Sequence, residues 1–266
     1  MLRARMALAV VALCGAARGQ APSYSAASIV NASDYSPGPF APNSMLTIFG
    51  SNLAFSTAGL TDENFASLPY KLAGVSVYLD GFQVPLLYVS QNGLNGQGQI
   101  NLLVPPNEIA GDATLWVDRQ GTPGPMVTIT LVNAAPALFP SLVNLVNFAM
   151  ALDYSANNAF VTAAAPAQPG DLIVLYAAGL GSTSPNSLTG EIPGFAALIS
   201  AFPSFQVLLN GKAIDPATVP YAGQAPGFPG VYQVNFYLPN PCPANPQIQL
   251  AIGPQSSAAG IILAVQ

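Results

Sequence analysis

Apolar and polar residues alternate with a period of two along much of the chain. Val75, Val77 and Leu79 interleave with Ser76, Tyr78 and Asp80, and Phe205, Val207 and Leu209 repeat the pattern. Successive strand residues point to opposite faces, so each run predicts a strand with one face in a core. Ile100, Leu102 and Val104 share one face of a later strand, as do Tyr232, Val234, Phe236 and Leu238. Closing strands are expected near Met126–Val132 and Gly260–Val265. Asp80-Gly81 and Asn210-Gly211 each end a strand. Both dipeptides tolerate positive φ and predict the tips of two-residue hairpins. No segment has a convincing amphipathic helical period; Phe195–Phe202 is expected to form a short helical turn within a loop. The 26 prolines and 24 glycines suit many short strands joined by turns.

The pattern occurs twice. Pro42–Leu53 matches Pro169–Leu180, Leu79-Asp80-Gly81 matches Leu209-Asn210-Gly211, Tyr88 matches Tyr221, and Gln99–Pro105 matches Gln233–Pro239. The order is kept, and the shifts stay between 127 and 134 residues. A tandem duplication explains this, with small length changes in loops. About seven strands per copy predicts an all-β chain of two tandem immunoglobulin-like β-sandwich domains, 20–133 and 134–266. The link is expected within Asn133–Asn147, where Pro136 and Pro140 punctuate the chain.

Residues 1–19 have the layout of a signal peptide: Arg3 and Arg5, then the apolar run Met6–Cys14, then the small-residue stretch Ala17-Arg18-Gly19. The apolar run is shorter than the roughly 20 residues of a membrane-spanning helix. Leu13 before Cys14 disfavours lipidation, which wants a small residue there. The expected destination is extracellular, cell-surface or periplasmic. After cleavage the chain spans no membrane, and Lys71, Arg119 and Lys212 stand against 11 acidic residues, a net charge of −8. Such a balance repels phosphate backbones and argues against nucleic acid. Charged residues are 6% of the chain, against about 25% in a usual domain. The surface must therefore be mostly neutral and polar. Cys242 would be the one remaining cysteine, read as a small apolar filler between Pro241 and Pro243.

Several stretches resemble a family of secreted acidobacterial proteins, the Solibacter-type uncharacterised C-terminal domain. They are Ser28–Ser33, Ala41–Leu53, Leu72–Val77, Pro85–Ser90 and Gln99–Asn101, then Pro169–Asp171, Gly179–Gly181, Tyr221–Gly227 and Gly230–Asn235. Thr47–Leu53 also resembles the start of IPT/TIG immunoglobulin-like domains. The resemblance implies export and an immunoglobulin-like fold, and it carries no activity.

The chemistry narrows mainly by exclusion. The chain has no histidine, which removes histidine-based triads and metal sites. One cysteine is too few for zinc, and no phosphate loop of the Gly-x-x-x-x-Gly-Lys type occurs. Asp153-Tyr-Ser155-Ala-Asn157 opens like a calcium loop, but Asn158 and Ala164 stand where the turn glycine and bidentate glutamate belong. An ordinary polar turn is the preferred reading. Asp62-Glu63 and Glu108/Asp112 are the close carboxylate pairs, read as solvated loop charges. No catalytic residue, metal or cofactor is assigned.

Gln99/Asn101 and Gln233/Asn235 are the sharpest polar feature, each pair on one strand face, with Tyr88 and Tyr221 nearby. Recurrence in both copies favours scaffold over ligand site, with the amides expected on loop backbone. Trp116 is expected in the core, given the area a tryptophan buries. The expected function is non-catalytic contact with an unknown protein or polysaccharide at the cell surface or outside the cell. The alternative is a carbohydrate-binding accessory module.

Overall fold

The computed structural model describes residues 20–60, 67–92 and 96–266. The expected signal peptide and Asp62-Glu63 lie outside the described residues. The chain is all-β and forms two immunoglobulin-like sandwiches in tandem.

In the first sandwich the strands are β1 (Ile29–Asn31), β2 (Met45–Gly50), β3 (Ala58–Gly59), β4 (Val75–Leu79), β5 (Phe82–Val84), β6 (Leu86–Ser90), β7 (Gly98–Leu103), β8 (Gly111–Arg119), β9 (Thr122–Pro123) and β10 (Val127–Leu131). One sheet runs β1-β2-β7-β6-β3 and the other β10-β8-β4-β5, with β9 beside β8. The second sandwich contains β11 (Ala137–Leu138), β12 (Pro140–Val143), β13 (Val146–Ala149), β14 (Ala151–Asp153), β15 (Ala159–Phe160), β16 (Leu172–Ala178), β17 (Thr183–Ser184), β18 (Leu198–Ile199), β19 (Phe205–Leu209), β20 (Lys212–Ala213), β21 (Tyr221–Gln224), β22 (Tyr232–Tyr237), β23 (Ile248–Ile252) and β24 (Gln255–Ser256). One sheet is built on β14-β16-β22-β21 and the other runs β20-β19-β23-β24.

The alternation read from the sequence sets both cores. Ile48, Val77, Leu79, Ile100, Leu102, Leu115 and Val117 fill the first, and Ile173, Leu175, Val207, Tyr232, Val234, Phe236 and Leu250 the second. The registers coincide. Thr47, Asn101 and Tyr88 lie opposite one another across three strands, and Val174, Asn235 and Tyr221 do so in the second copy. Leu79 pairs Leu115 as Leu209 pairs Ile248. The two halves therefore correspond strand pair by strand pair.

Both expected hairpins form. Asp80 and Gly81 have φ of 47° and 87°, and Asn210 and Gly211 have 49° and 75°, the signs of a type I′ turn. Leu79 pairs Phe82 and Leu209 pairs Lys212 around them.

Three expectations change. The link is shorter than Asn133–Asn147: Ala137 and Leu138 already pair with β16, and 140–149 forms a separate two-stranded hairpin. Leu131 belongs to the first core and Ala134 to the second, so the chain crosses between them in Val132-Asn133. Gly260–Val265 makes isolated bridges through Ile262 and Val265 instead of a strand. Within Phe195–Phe202, Leu198–Ile199 is a strand, and the helical turn falls on Phe202–Ser204. Tertiary pairing outweighed local preference at each place.

The two sandwiches touch along a polar seam. The Leu68 N–H donates to the Gly190 carbonyl at 2.6 Å and the Tyr70 hydroxyl to that of Thr189 at 2.9 Å. The Ser182 hydroxyl and the Asn186 amide both donate to the Pro106 carbonyl, each at 3.3 Å. Gly230 lies so close to Met45 and Leu103 that a Cβ there would sit 2.6 Å and 2.9 Å from their side chains.

At Gly81 and Gly211 an added Cβ meets nothing within 4 Å, so only the backbone conformation resists a side chain. Gly81→Val and Gly211→Val are each expected to destabilise by about 1 kcal/mol or more, because β-branched residues resist positive φ. Chemical denaturation of each variant checks this.

Candidate functional site

The outer face of β7 carries Gln99 and Asn101, both half-buried, and β22 carries Gln233 and Asn235 in the same way. The Gln99 amide donates to Asn101 Oδ1 at 2.8 Å, and the Gln233 amide to Asn235 Oδ1 at 2.8 Å. The Thr47 hydroxyl also donates to Asn101 Oδ1, at 3.1 Å. The expectation of bonds to loop backbone changes here: the amides bond along the strand to each other. Residues i and i+2 stand on one face, and the glutamine is long enough to reach the asparagine. Tyr88 lies across the strand from Asn101, and Tyr221 from Asn235. The Tyr221 hydroxyl donates to the Gln224 carbonyl at 2.7 Å, and burial raises its pKa.

The opposite sheet of the first sandwich carries a different row. Trp116 and Tyr78 lie directly across β8 and β4, on the outer face. Trp116 is thus half-buried outside the core, contrary to expectation, because its neighbours Leu115 and Val117 occupy the inner face. The two rings stack at 4.8 Å between centroids, inclined by 4°. Tyr78 pairs in turn with Gln83 on β5, whose amide donates to the Tyr78 hydroxyl and the Ser76 hydroxyl, each at 3.2 Å. Gln83 is exposed. Two aromatic rings and a fixed amide therefore stand side by side at the surface.

The duplication offers an internal comparison. The register partners corresponding to Tyr78, Trp116 and Gln83 are Leu208, Gln249 and Ala213. The sandwich holds its register in the second copy without the aromatic row. The amide row recurs; the aromatic row does not.

The candidate acids are not brought into a common cleft by any described contact. Asp112 accepts from Thr130 at 2.9 Å. Glu108 has a raised pKa through burial and the charge of Asp80. Asp153, from the calcium-like stretch, accepts the Ala156 N–H at 3.1 Å, and Ser155 Oγ accepts the Leu172 N–H at 3.0 Å. Asp153 ends β14 and Ser155 lies in the turn that leads to β15. No group of three or more acidic or thiol ligands gathers among the described residues. Cys242 is half-buried against the second core, which raises its thiol pKa.

Arg119 is a buried cation. It donates to the Asn52 carbonyl at 2.7 Å and to that of Gln20, and the Phe55 ring lies 3.9 Å from its guanidinium carbon. It anchors the start of the first sandwich to its β2–β3 loop. Tyr24 strengthens the anchor, donating to the Pro125 carbonyl at 2.6 Å and accepting the Val117 N–H at 2.7 Å; burial pushes its pKa up to about 12.

No known family profile and no curated protein sequence matches the chain. The Solibacter-type resemblance thus rests on its motifs alone. Among solved structures, the chain is similar to SGBP-B of the Bacteroides ovatus mixed-linkage glucan utilization locus, in complex with a mixed-linkage heptasaccharide. Identity is 9% over 85% of this chain and 43% of that one, with a TM-score of 0.31. SGBP-B from a complex xyloglucan utilization locus in Bacteroides uniformis is 10% identical over 92% and 50%, with a TM-score of 0.27. A tandem of titin Ig domains is 9% identical over 84% and 87%, with a TM-score of 0.23. The chain spans half or less of the length of both Bacteroides proteins.

Asp153 supplies a pH prediction. Burial, then the adjacent Asp171, raises its pKa above the ordinary 3.8. The charged form is therefore penalised on folding, and that penalty is present above the folded pKa and relieved as pH falls through it. Asp153→Asn keeps an oxygen for the Ala156 N–H and removes the charge. It is expected to melt higher than the parent at neutral pH, with the difference closing as pH approaches 3.8. Thermal melts across pH check this.

Proposed function

We propose that this chain is an exported, non-catalytic binding protein whose first sandwich holds a neutral polysaccharide on the Tyr78–Trp116–Gln83 row. After loss of residues 1–19, the units 20–133 and 134–266 act as a binding module and a companion module. The observation that carries this reading is the presence of the row in one copy and its replacement by Leu208, Gln249 and Ala213 in the other. A sandwich that folds without the aromatic row has no scaffold need for it.

The chemistry suits a sugar. Aromatic rings pack against the C–H face of a pyranose, as they pack in apolar contacts generally. The Gln83 amide and the Tyr78 hydroxyl supply donors and acceptors to the hydroxyls around the ring edge. The acidic balance of the chain favours a neutral polymer over an anionic one. The Gln99/Asn101 and Gln233/Asn235 rows, with Tyr88 and Tyr221, are scaffold in this reading. Each copy repeats them in the same register, and their amides are engaged with one another.

Affinity electrophoresis in gels containing neutral polysaccharides, followed by titration with oligosaccharides of a retained polymer, tests the proposal. Trp116→Ala and Gln83→Ala are each expected to weaken binding, the former roughly tenfold or more. Gln83 is exposed, so that variant keeps the fold and separates lost binding from unfolding. A chain that no neutral polysaccharide retards, or variants that bind as the parent does, would return the function to protein contact.

Asn101→Ala is expected to behave in the opposite way. It leaves the Gln99 amide and the Thr47 hydroxyl without their shared acceptor and should cost about 1–3 kcal/mol of stability. Sugar binding by the folded protein should be unchanged. Denaturant melts beside the same titrations separate the two effects.

A further inference from the structure

The hairpin of β12 and β13 is a second feature without a counterpart in the first sandwich. Ala137 pairs Ala178 at the start of the second copy, as Ser23 bridges Ser51 in the first. Between that point and β1 the first copy has only a short 3-10 turn, Ala26–Ser28. The second copy places Pro140–Ala149 there instead, as a hairpin paired with neither large sheet.

Every residue from Ser141 to Asn147 is exposed. The base of β13 is held to the domain, where the Ile262 N–H donates to the Asn147 carbonyl and the Ala149 N–H to that of Ile262, each at 2.8 Å. The tip therefore projects beyond the Leu142–Asn147 pair. Its exposed apolar residues are Leu142 (66%), Val143 (44%), Leu145 (93%) and Val146 (40%). Leu142 pairs Asn147, and Val143 pairs Val146. Cross-strand partners share a face and successive residues alternate. Leu142 therefore projects from one face, Val143 and Val146 from the other, and Leu145 from the tip. No Asp, Glu, Lys or Arg occurs from Gln120 to Leu152.

The turn itself is costly. Asn144 and Leu145 have φ of 51° and 66°. Asparagine accepts this region; leucine is disfavoured in it, and glycine is the usual second residue of such a turn. The folding of the hairpin would be better served by glycine at 145, so the leucine needs another reason.

We propose that this hairpin inserts its tip into the apolar boundary of a lipid bilayer. A flat protein partner covers one face of a hairpin, whereas a fluid apolar medium meets both faces and the tip at once. Leu142, Val143 and Leu145 present all three, while Val146 lines a cavity with Phe148 and Ile262 at the base. Cross-strand bonds pair the inward-facing backbone groups from Pro140–Ala149 to Val143–Val146. The outer edges of the tip keep theirs for water, which confines entry to the hydrated interface and forbids the hydrocarbon core. Beyond the Leu142–Asn147 pair, two residues per arm reach about 7 Å, within the about 5–10 Å of interfacial burial. With no basic residue on the hairpin, attachment is apolar and gains nothing from anionic lipid.

Flotation of the chain from Gln20 onward with phosphatidylcholine vesicles tests this, since the apolar run before Gln20 is then absent. The protein is expected to float with the vesicles, equally at low and high salt, and no more strongly when phosphatidylglycerol is added. Leu145→Asp should reduce the bound fraction roughly tenfold or more. Leu145→Gly should reduce binding while melting no lower than the parent, because glycine relieves the turn; this separates lost insertion from lost folding. Leu142→Asn and Val143→Asn, on opposite faces, should both weaken binding. The proposal is overturned if the parent does not float, if Leu145→Gly floats as the parent does, or if only one face matters. It is also overturned if the hairpin instead drives concentration-dependent dimers that Leu145→Gly abolishes.

Discussion

The rest of the structure depends on burial of one face of the central strand in each sandwich. Ile100 and Leu102 in β7, and Val234 and Phe236 in β22, are fully enclosed. A shift of one residue would exchange these side chains with the amides beside them, placing Gln99, Asn101, Gln233 and Asn235 in an apolar core. The register is therefore fixed, and with it every cross-strand neighbour. Tyr88 meets Asn101, Tyr221 meets Asn235, and each amide row points outward.

Because both copies obey this constraint, each serves as a reference for the other. Strand pairs, hairpin tips and amide rows occur twice and follow from making a sandwich of this kind. The stacked Tyr78 and Trp116 with Gln83, and the apolar hairpin ahead of β14, occur once. These single-copy features lie on exposed parts of the molecule, where packing imposes little choice of residue. Function is sought there because the scaffold has already been built without them in the other copy.

The scarcity of charge shapes the surface and the seam between sandwiches. With few ion pairs available, contact between the copies relies on carbonyls and neutral donors, as in Leu68 with Gly190, Tyr70 with Thr189, and Asn186 with Pro106. Arg119 is held by carbonyls and an aromatic face instead of a described carboxylate. Polar backbone thus does work that charged side chains do elsewhere. The short Val132-Asn133 crossing and the close approach of Gly230 to Met45 and Leu103 act in the same direction.

The sequence by itself determined the all-β class, the alternation that fills both cores and recurs in each half, and the two hairpin tips at Asp80-Gly81 and Asn210-Gly211. Each of these is set by local chemistry: a side-chain period of two, or a residue that tolerates positive φ. Tertiary structure decided what depends on distant partners. Trp116 could be assigned to a face only once Leu115 and Val117 were seen to take the inner one, and its stack with Tyr78 joins strands far apart in the chain. The amides bonded to one another because the cross-strand environment left the glutamine free to turn along its own strand. Pro140–Ala149 reads as a linker by composition, yet pairs as a hairpin, since its backbone hydrogen bonds find partners within the segment and, at its base, in distant Ile262. Side-chain order along a chain gives periodicity; which exposed groups meet is a property of the folded sheet.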